Sequence, residues 1–206
     1  AYEMQRSLVG SEMCIRYRVY LDKNAYEADG IIVSCRLKPH NAFRGPYESG
    51  PCKMLAVGLG KQKGAERVHS DGMGKIGANI PSIAKVILAR APILFALPCI
   101  ENAYDETCRI EAIDRDDILA REPELLQYAF ERMPSLLVGA CDVLVVDETG
   151  KNYSGTGVDP NITGTFSTEY AHGGVEAAHL LSRSERGQPR QRPGRGPGQR
   201  DHKAVL

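Results

Sequence analysis

Residues 80–99 read IPSIAKVILARAPILFALPC, and this stretch carries two periodicities in succession. Over Ile80–Arg90 the apolar residues Ile83, Val86, Ile87 and Leu88 recur at helical spacing, with Pro81 in what the pattern predicts to be the first turn. Over Pro92–Cys99 the run is almost continuously apolar and too short for a second helix, so it predicts a buried strand. A helix running straight into a buried strand is the repeating unit of an α/β protein.

The same alternation extends outward in both directions. Gly30–Arg36 (GIIVSCR) is a short β-branched run that predicts a strand, and Cys108–Ile113 (CRIEAI) alternates in and out like another. Glu122–Met133 (EPELLQYAFERM) predicts a helix, with Pro123 at its start, Glu124 in its first turn, Arg132 in its last and Pro134 beyond. Cys141–Asp147 (CDVLVVD) predicts a strand that ends in a carboxylate. The expected fold class is α/β, a layered sheet with flanking helices, spanning residues 19–178. In such folds the loops that follow strand C-terminal ends bind ligands.

The ends differ in composition. Residues 1–18 contain QRSLVGSEMCIRYR, which keeps neither helical nor strand periodicity and resembles the translation of a sequencing adapter; they are expected to be a non-native segment or a disordered arm. Residues 179–206 include SRSERGQPRQRPGRGPGQR, with six arginines and no aliphatic residue, which predicts disorder. Two sources of that tail stay open, an RNA-binding Arg/Gly segment and a frameshift. The frameshift is favoured because no aromatic residue is present to stack on bases.

Lys+Arg and Asp+Glu each total 26 in 206 residues, so no global basic field argues for nucleic acid. No apolar run approaches the roughly 20 residues needed to span a bilayer, and the start of the chain lacks the apolar core of a signal peptide. Six cysteines, at positions 14, 35, 52, 99, 108 and 141, form no CxxC pair. They predict reduced, mostly buried thiols and a cytoplasmic location.

Two loops carry the chemistry. The first follows the strand Gly30–Arg36 and reads KPHNAFRGPYESGPCKMLAVGLGKQKGAERVH over Lys38–His69. Gly45, Gly50, Gly58, Gly60 and Gly64 permit tight turns and close backbone approach, and Lys53, Lys61 and Lys63 add positive charge, so an anion such as phosphate is the expected ligand. Neither the P-loop nor the dinucleotide pattern is matched. His40 and His69 add two groups suited to proton transfer or metal ligation. The second loop, ETGKNYSGTGVDPN after the strand Cys141–Asp147, offers Lys151 for a substrate carboxylate and Asn152 or Ser154 for a hydroxyl. Its composition equally suits a turn-rich connection. Glu101, Asn102 and Asp105 form a third polar cluster, expected to cap a helix or turn.

The order strand, Pro39-His40, glycine-rich loop with Lys53, then His69, together with IENAYDE and GKNYSGTGVDPNITG, resembles the catalytic domain of the nickel-pincer nucleotide-dependent lactate racemase family. The resemblance implies a racemase or epimerase acting on a 2-hydroxy acid. Its cofactor would be nickel pyridinium-3,5-bisthiocarboxylic acid mononucleotide, supplied by separate cofactor-synthesis enzymes. By the same resemblance His40 is the acid/base, Lys53 the thioamide tether and His69 the nickel ligand, with Gly50, Gly58 and Gly60 beside the cofactor. The inserted stretch FRGPYESGP lengthens the step from His40 to Lys53 and leaves Lys61 and Lys63 as alternative tethers. An upstream histidine and a later domain of that family have no counterpart in these residues, so an inactive fragment is expected. The remaining alternatives are a non-catalytic nucleotide- or phosphate-binding domain that uses the same loop, and an RNA-associated protein acting through its tail.

Overall fold

The structure is a computed structural model, and it describes residues 2–5, 18–151, 154–175 and 177–184. The expectations for residues 6–17 and 185–206, and for Asn152, lie outside the described residues. The chain divides into two compact units, Ala1–Pro39 with Arg44–Arg132, and His40–Phe43 with Met133–Leu206.

The first unit is α/β, as the alternation predicts. Strand β1 (Tyr2–Gln5) pairs antiparallel with β2 (Arg18–Leu21), which is followed by the short helix α1 (Lys23–Tyr26). Strand β3 (Ile31–Arg36) runs parallel to β4 (Ile93–Glu101), and β5 (Thr107–Ile110) and β6 (Ile113–Asp114) both pair antiparallel with β4. Asn102 closes the β4–β5 turn: its side-chain oxygen accepts from the amides of Tyr104 and Glu106, and Asp105 there takes a left-handed φ of 59°. That is a turn-capping role of the kind expected for this cluster.

The crossover from β3 to β4 is helical throughout most of its length, which corrects the expectation of a loop. Helix α2 (Pro51–Lys53) continues into a π-helical segment (Met54–Leu59), then α3 (Lys61–His69), a 3-10 turn and α4 (Ile76–Arg90). Pro51 opens this run at a position where its missing N–H is no loss. Residues 61–67 are mostly good helix formers despite Gly64.

Helix α4 starts at Ile76 and α5 (Ile118–Arg132) at Ile118, each several residues before the proline taken from sequence as the first-turn residue. The early turns are anchored by side chains that the core encloses, Ile76, Asn79 and Ile80 in α4 and Ile118 in α5. Their burial offsets the hydrogen bond that each interior proline cannot donate. The core of the unit joins Val19 and Leu21 of β2, Leu55, the Ile80, Ile83 and Ile87 stripe of α4, Ile100 of β4, and Leu125 of α5.

In the second unit β7 (Cys141–Thr149) pairs in parallel with β8 (Ala177–Ser184). Residues 179–184, expected to open the disordered tail, therefore form a strand, because β7 supplies their backbone partners. Helix α6 (Pro160–Thr163) is capped by Asp159, whose carboxylate accepts from the Asn161 amide. It ends at Gly164 with φ of 72°, a conformation that favours glycine.

The five described cysteines are free, but only Cys52 is buried; Cys108 is exposed and the others lie between. Among the described residues no helix is long and apolar enough to cross a membrane.

Candidate functional site

Lys53 is the last residue of α2, and burial together with the nearby charge of Lys38 holds its amine below the ordinary lysine pKa. The competing lysines are differently placed. Lys61 is exposed and occupies the sharp turn between the π segment and α3 with φ of 55°, and the Lys63 ammonium lies 5.5 Å from the centre of the Tyr20 ring. Of the three, Lys53 alone is partly buried; Lys61 and Lys63 are exposed.

The insertion before Lys53 is a closed, internally bonded loop. The Lys38 amide donates to the Ser49 carbonyl at 2.9 Å and pins the loop at its base. Within it, the buried Glu48 carboxylate accepts from the Gly45 amide at 3.1 Å and pairs with Arg44 at 3.4 Å. Tyr47 donates to the Leu119 carbonyl at 2.7 Å. Extra residues are thus taken up as an excursion that returns to the end of β3 before α2 begins.

Glu122 of α5 is 1% exposed and was not singled out by the sequence. Its carboxylate accepts the backbone N–H of Cys52 at 2.7 Å and also the Cys52 thiol. Burial pushes its carboxyl up to about 7, against the lowering effect of those two hydrogen bonds. Burial and the Glu122 charge in turn push the Cys35 thiol up to about 12 and raise the Cys52 thiol further. These two thiols are therefore unreactive at neutral pH.

The predicted cofactor glycines face the protein's own atoms. A Cβ on Gly50 would sit 2.5 Å from Oε1 of Glu122, one on Gly58 would meet the Met54 methyl at 2.8 Å, and one on Gly60 would overlap the Ala56 carbonyl oxygen. Each glycine thus has a packing reason to be glycine.

His69, the last residue of α3, is exposed, and its Nδ1 lies 2.7 Å from the Ala65 carbonyl oxygen. A carbonyl only accepts, so Nδ1 carries a proton, and in the neutral ring Nε2 then carries the lone pair. His69 is thereby set in the tautomer that a metal ligand requires. Among the described residues there is no group of three or more His, Cys, Asp or Glu able to hold a metal ion. A metal taken by His69 would have to bring other ligands with it.

His40, in the second unit, has the opposite tautomer. Its Nδ1 accepts the Ala42 amide at 3.1 Å, which leaves the proton on Nε2, and its ring packs against Phe43 with centroids 4.4 Å apart. The next residue, Asn41, ties His40 to the second loop. Its amide donates to Ser154 at 3.5 Å and Thr156 at 3.4 Å, and its carbonyl oxygen accepts from Asn161 at 3.2 Å. Thr168 donates to the Ala42 carbonyl at 2.6 Å.

The structure therefore brings His40 together with Ser154 in one unit and places Lys53 and His69 in the other. Lys151 is exposed on the turn after β7. Asn41 and Thr156 were missed in the sequence; the signal was the direct adjacency of Asn41 to His40. A groove of about 340 Å³ is lined by Glu111, Asp114, Arg121 and Glu124, whose charges are already engaged in part by ion pairs in its wall, Arg121 to Glu111 and to Glu124.

No protein-family model matches this chain, and no curated protein matches it.

Proposed function

We propose that the chain is part of a racemase or epimerase of 2-hydroxy acids that uses a nickel-pincer nucleotide, with Lys53 as tether and His69 as nickel ligand. The observation that carries this reading is the state of Lys53, a half-buried amine held below its ordinary pKa beside Lys38. A depressed pKa raises the fraction of neutral, nucleophilic amine, which a thioamide link to the cofactor's thiocarboxyl carbon, formed with loss of water and retention of the sulfur, would require. The donor set fits the group as well: with Nδ1 donating to the Ala65 carbonyl, the neutral His69 ring presents an Nε2 lone pair, and a single imidazole suffices where the cofactor brings its own pincer. When bound, the cofactor would supply the two-electron acceptor for the hydrogen at C2 of the substrate.

The chain's own groups do the rest. His40, with its proton on Nε2, donates a hydrogen bond to the C2 oxygen. Taking up the hydroxyl proton at Nε2 requires the Ala42 amide to leave Nδ1, because Nδ1 must then carry a proton. Ser154 and Lys151 are the substrate hydroxyl and carboxylate partners on this reading. A second reading, binding of a phosphate or nucleotide without catalysis, is favoured by the mutual repulsion of Lys38 and Lys53, which an anion would relieve.

The test is co-expression of the 206-residue chain with cofactor-making enzymes, followed by peptide mass and nickel analysis. The Lys53 peptide is expected to carry the cofactor mass with nickel bound, and His69→Ala to keep the adduct while losing nickel. An unmodified Lys53 peptide with no nickel overturns the reading. Phosphate binding that survives both His40→Ala and His69→Ala then supports the second one.

A further inference from the structure

The residue at the N-cap of the Lys53 helix is Gly50, which has no side chain to offer the amides of the first turn. Helix starts ordinarily satisfy one such amide with a Ser, Thr, Asp or Asn side chain at this position. Here the acceptor arrives from another element. Oε2 of Glu122, seventy residues away on α5, takes the Cys52 amide at 2.7 Å, one residue before Lys53. The absence of a side chain on Gly50 is what admits it, since a methyl there would stand 2.5 Å from Oε1. A carboxylate only 1% exposed has no solvent partner to fall back on, so its position and that of the helix start are tied.

We propose that Glu122 is a positioning residue for Lys53, acting as an N-cap supplied across the core that fixes the first turn of the helix and with it the partly buried seat of the lysine amine. The groups that face Glu122 are the Cys52 amide and thiol from α2, Cys35 from β3 and the Tyr47 hydroxyl from the closed loop. Lys53 itself is displaced from its ordinary pKa by burial and by Lys38, not by Glu122, so the influence of Glu122 passes through position. The proposal deepens the reading of Lys53 as a reactive amine, but its test needs no cofactor. Failure to load cofactor and failure of this inference are therefore separate results.

The full 206-residue chain is labelled at pH 8 with limiting N-acetoxysuccinimide, and acetylation of Lys53 is read by peptide mass against exposed Lys61 in the same molecule. Glu122→Ala frees the first turn, so the Lys53 amine regains solvent and its proton; the Lys53-to-Lys61 ratio is expected to fall about threefold or more. Glu122→Gln keeps an acceptor and is expected to hold the ratio near the wild-type value, a rescue that general loosening of the fold would not give. Gly50→Ala, which displaces the carboxylate without removing it, is expected to behave like Glu122→Ala. An unchanged ratio in folded Glu122→Ala overturns the proposal, as does a ratio lost equally in Glu122→Gln. Should both alanine variants fail to fold, amide exchange of the unaltered chain decides. The Cys52 N–H is expected to exchange more slowly than that of Lys53, and equal rates overturn the assignment.

Discussion

His40 and His69 each use Nδ1 for a local backbone hydrogen bond, and the two bonds run in opposite directions: His40 accepts from an amide, whereas His69 donates to a carbonyl. Two-bond nitrogen–proton correlation spectra at pH 8 should therefore show His40 protonated on Nε2 and His69 on Nδ1; identical tautomers would remove the basis for dividing their roles. Glu122 gives a second prediction. Its carboxyl titrates at about 7 in the folded chain against 4.5 in its ordinary state. Between those values the native chain holds a proton that the unfolded chain has released, so stability is lost as pH rises through this window and levels off above it. Glu122→Gln should abolish that slope and raise stability at pH 8 by roughly 3 kcal/mol. Urea unfolding of both proteins at intervals from pH 4.5 to 8 checks it, and parallel curves would refute it. The histidines and Lys53 were legible in the sequence because their chemistry is intrinsic to the residue type. Glu122 was not, since it looks like a first-turn acid of its own helix and its partner Cys52 lies far away in the chain.

The elements follow the sequence where burial sets the period and depart from it where proline or glycine dominated the reading. β3, β4 and the C-terminal halves of α4 and α5 lie where the apolar patterns place them, because one face of each must be enclosed; β7 also lies where its apolar run places it, although none of its residues is buried. Pro81 and Pro123 were read as helix starts, yet buried Ile76 and Ile118 extend both helices upstream of them. The larger departure is the run from Pro51 to His69, read as a loop because glycine there suggested a ligand cradle. Glycine serves packing instead: the turn at Gly60 brings α3 back so tightly that a Cβ on Gly60 or Gly64 would overlap the Ala56 carbonyl oxygen. Backbone is the obstacle in both cases, so no side-chain rotation relieves it. Gly64→Ala should accordingly destabilise the first unit by about 2 kcal/mol, the scale of overpacking, although alanine is the better helix former. Chemical denaturation measures this directly, and a neutral or stabilising effect would show that the π segment and α3 can move apart.

At the scale of the whole molecule, the two units rest on different physics. The first encloses a stripe of large aliphatic side chains, among them Leu21, Leu55, Ile80, Ile83, Ile87 and Leu125, none more than 1% exposed. The buried side chains described in the second are fewer and mostly smaller, Phe43, Pro160, Thr163, Ala171 and Val175. Much of its order comes instead from polar links such as Asn161 to Asn41, Thr168 to Ala42 and Thr163 to Thr165. Hydrogen bonds exchange for bonds to water on unfolding and contribute about 1 kcal/mol each, whereas a fully buried aliphatic side chain contributes roughly 1.5–3 kcal/mol. The second unit should therefore open first. Hydrogen exchange read by mass spectrometry across a urea series is expected to release the peptides covering residues 154–175 at lower denaturant than those covering 76–90 and 118–132. Only the later transition should shift between pH 4.5 and 7, because Glu122 belongs to the first unit. Gly164→Ala separates them further: its side chain would need φ of 72° and would overlap the Val175 carbonyl oxygen, so it should lower the first transition and leave the second in place. A single coincident transition, moved as a whole by Gly164→Ala, would instead make the chain one cooperative body.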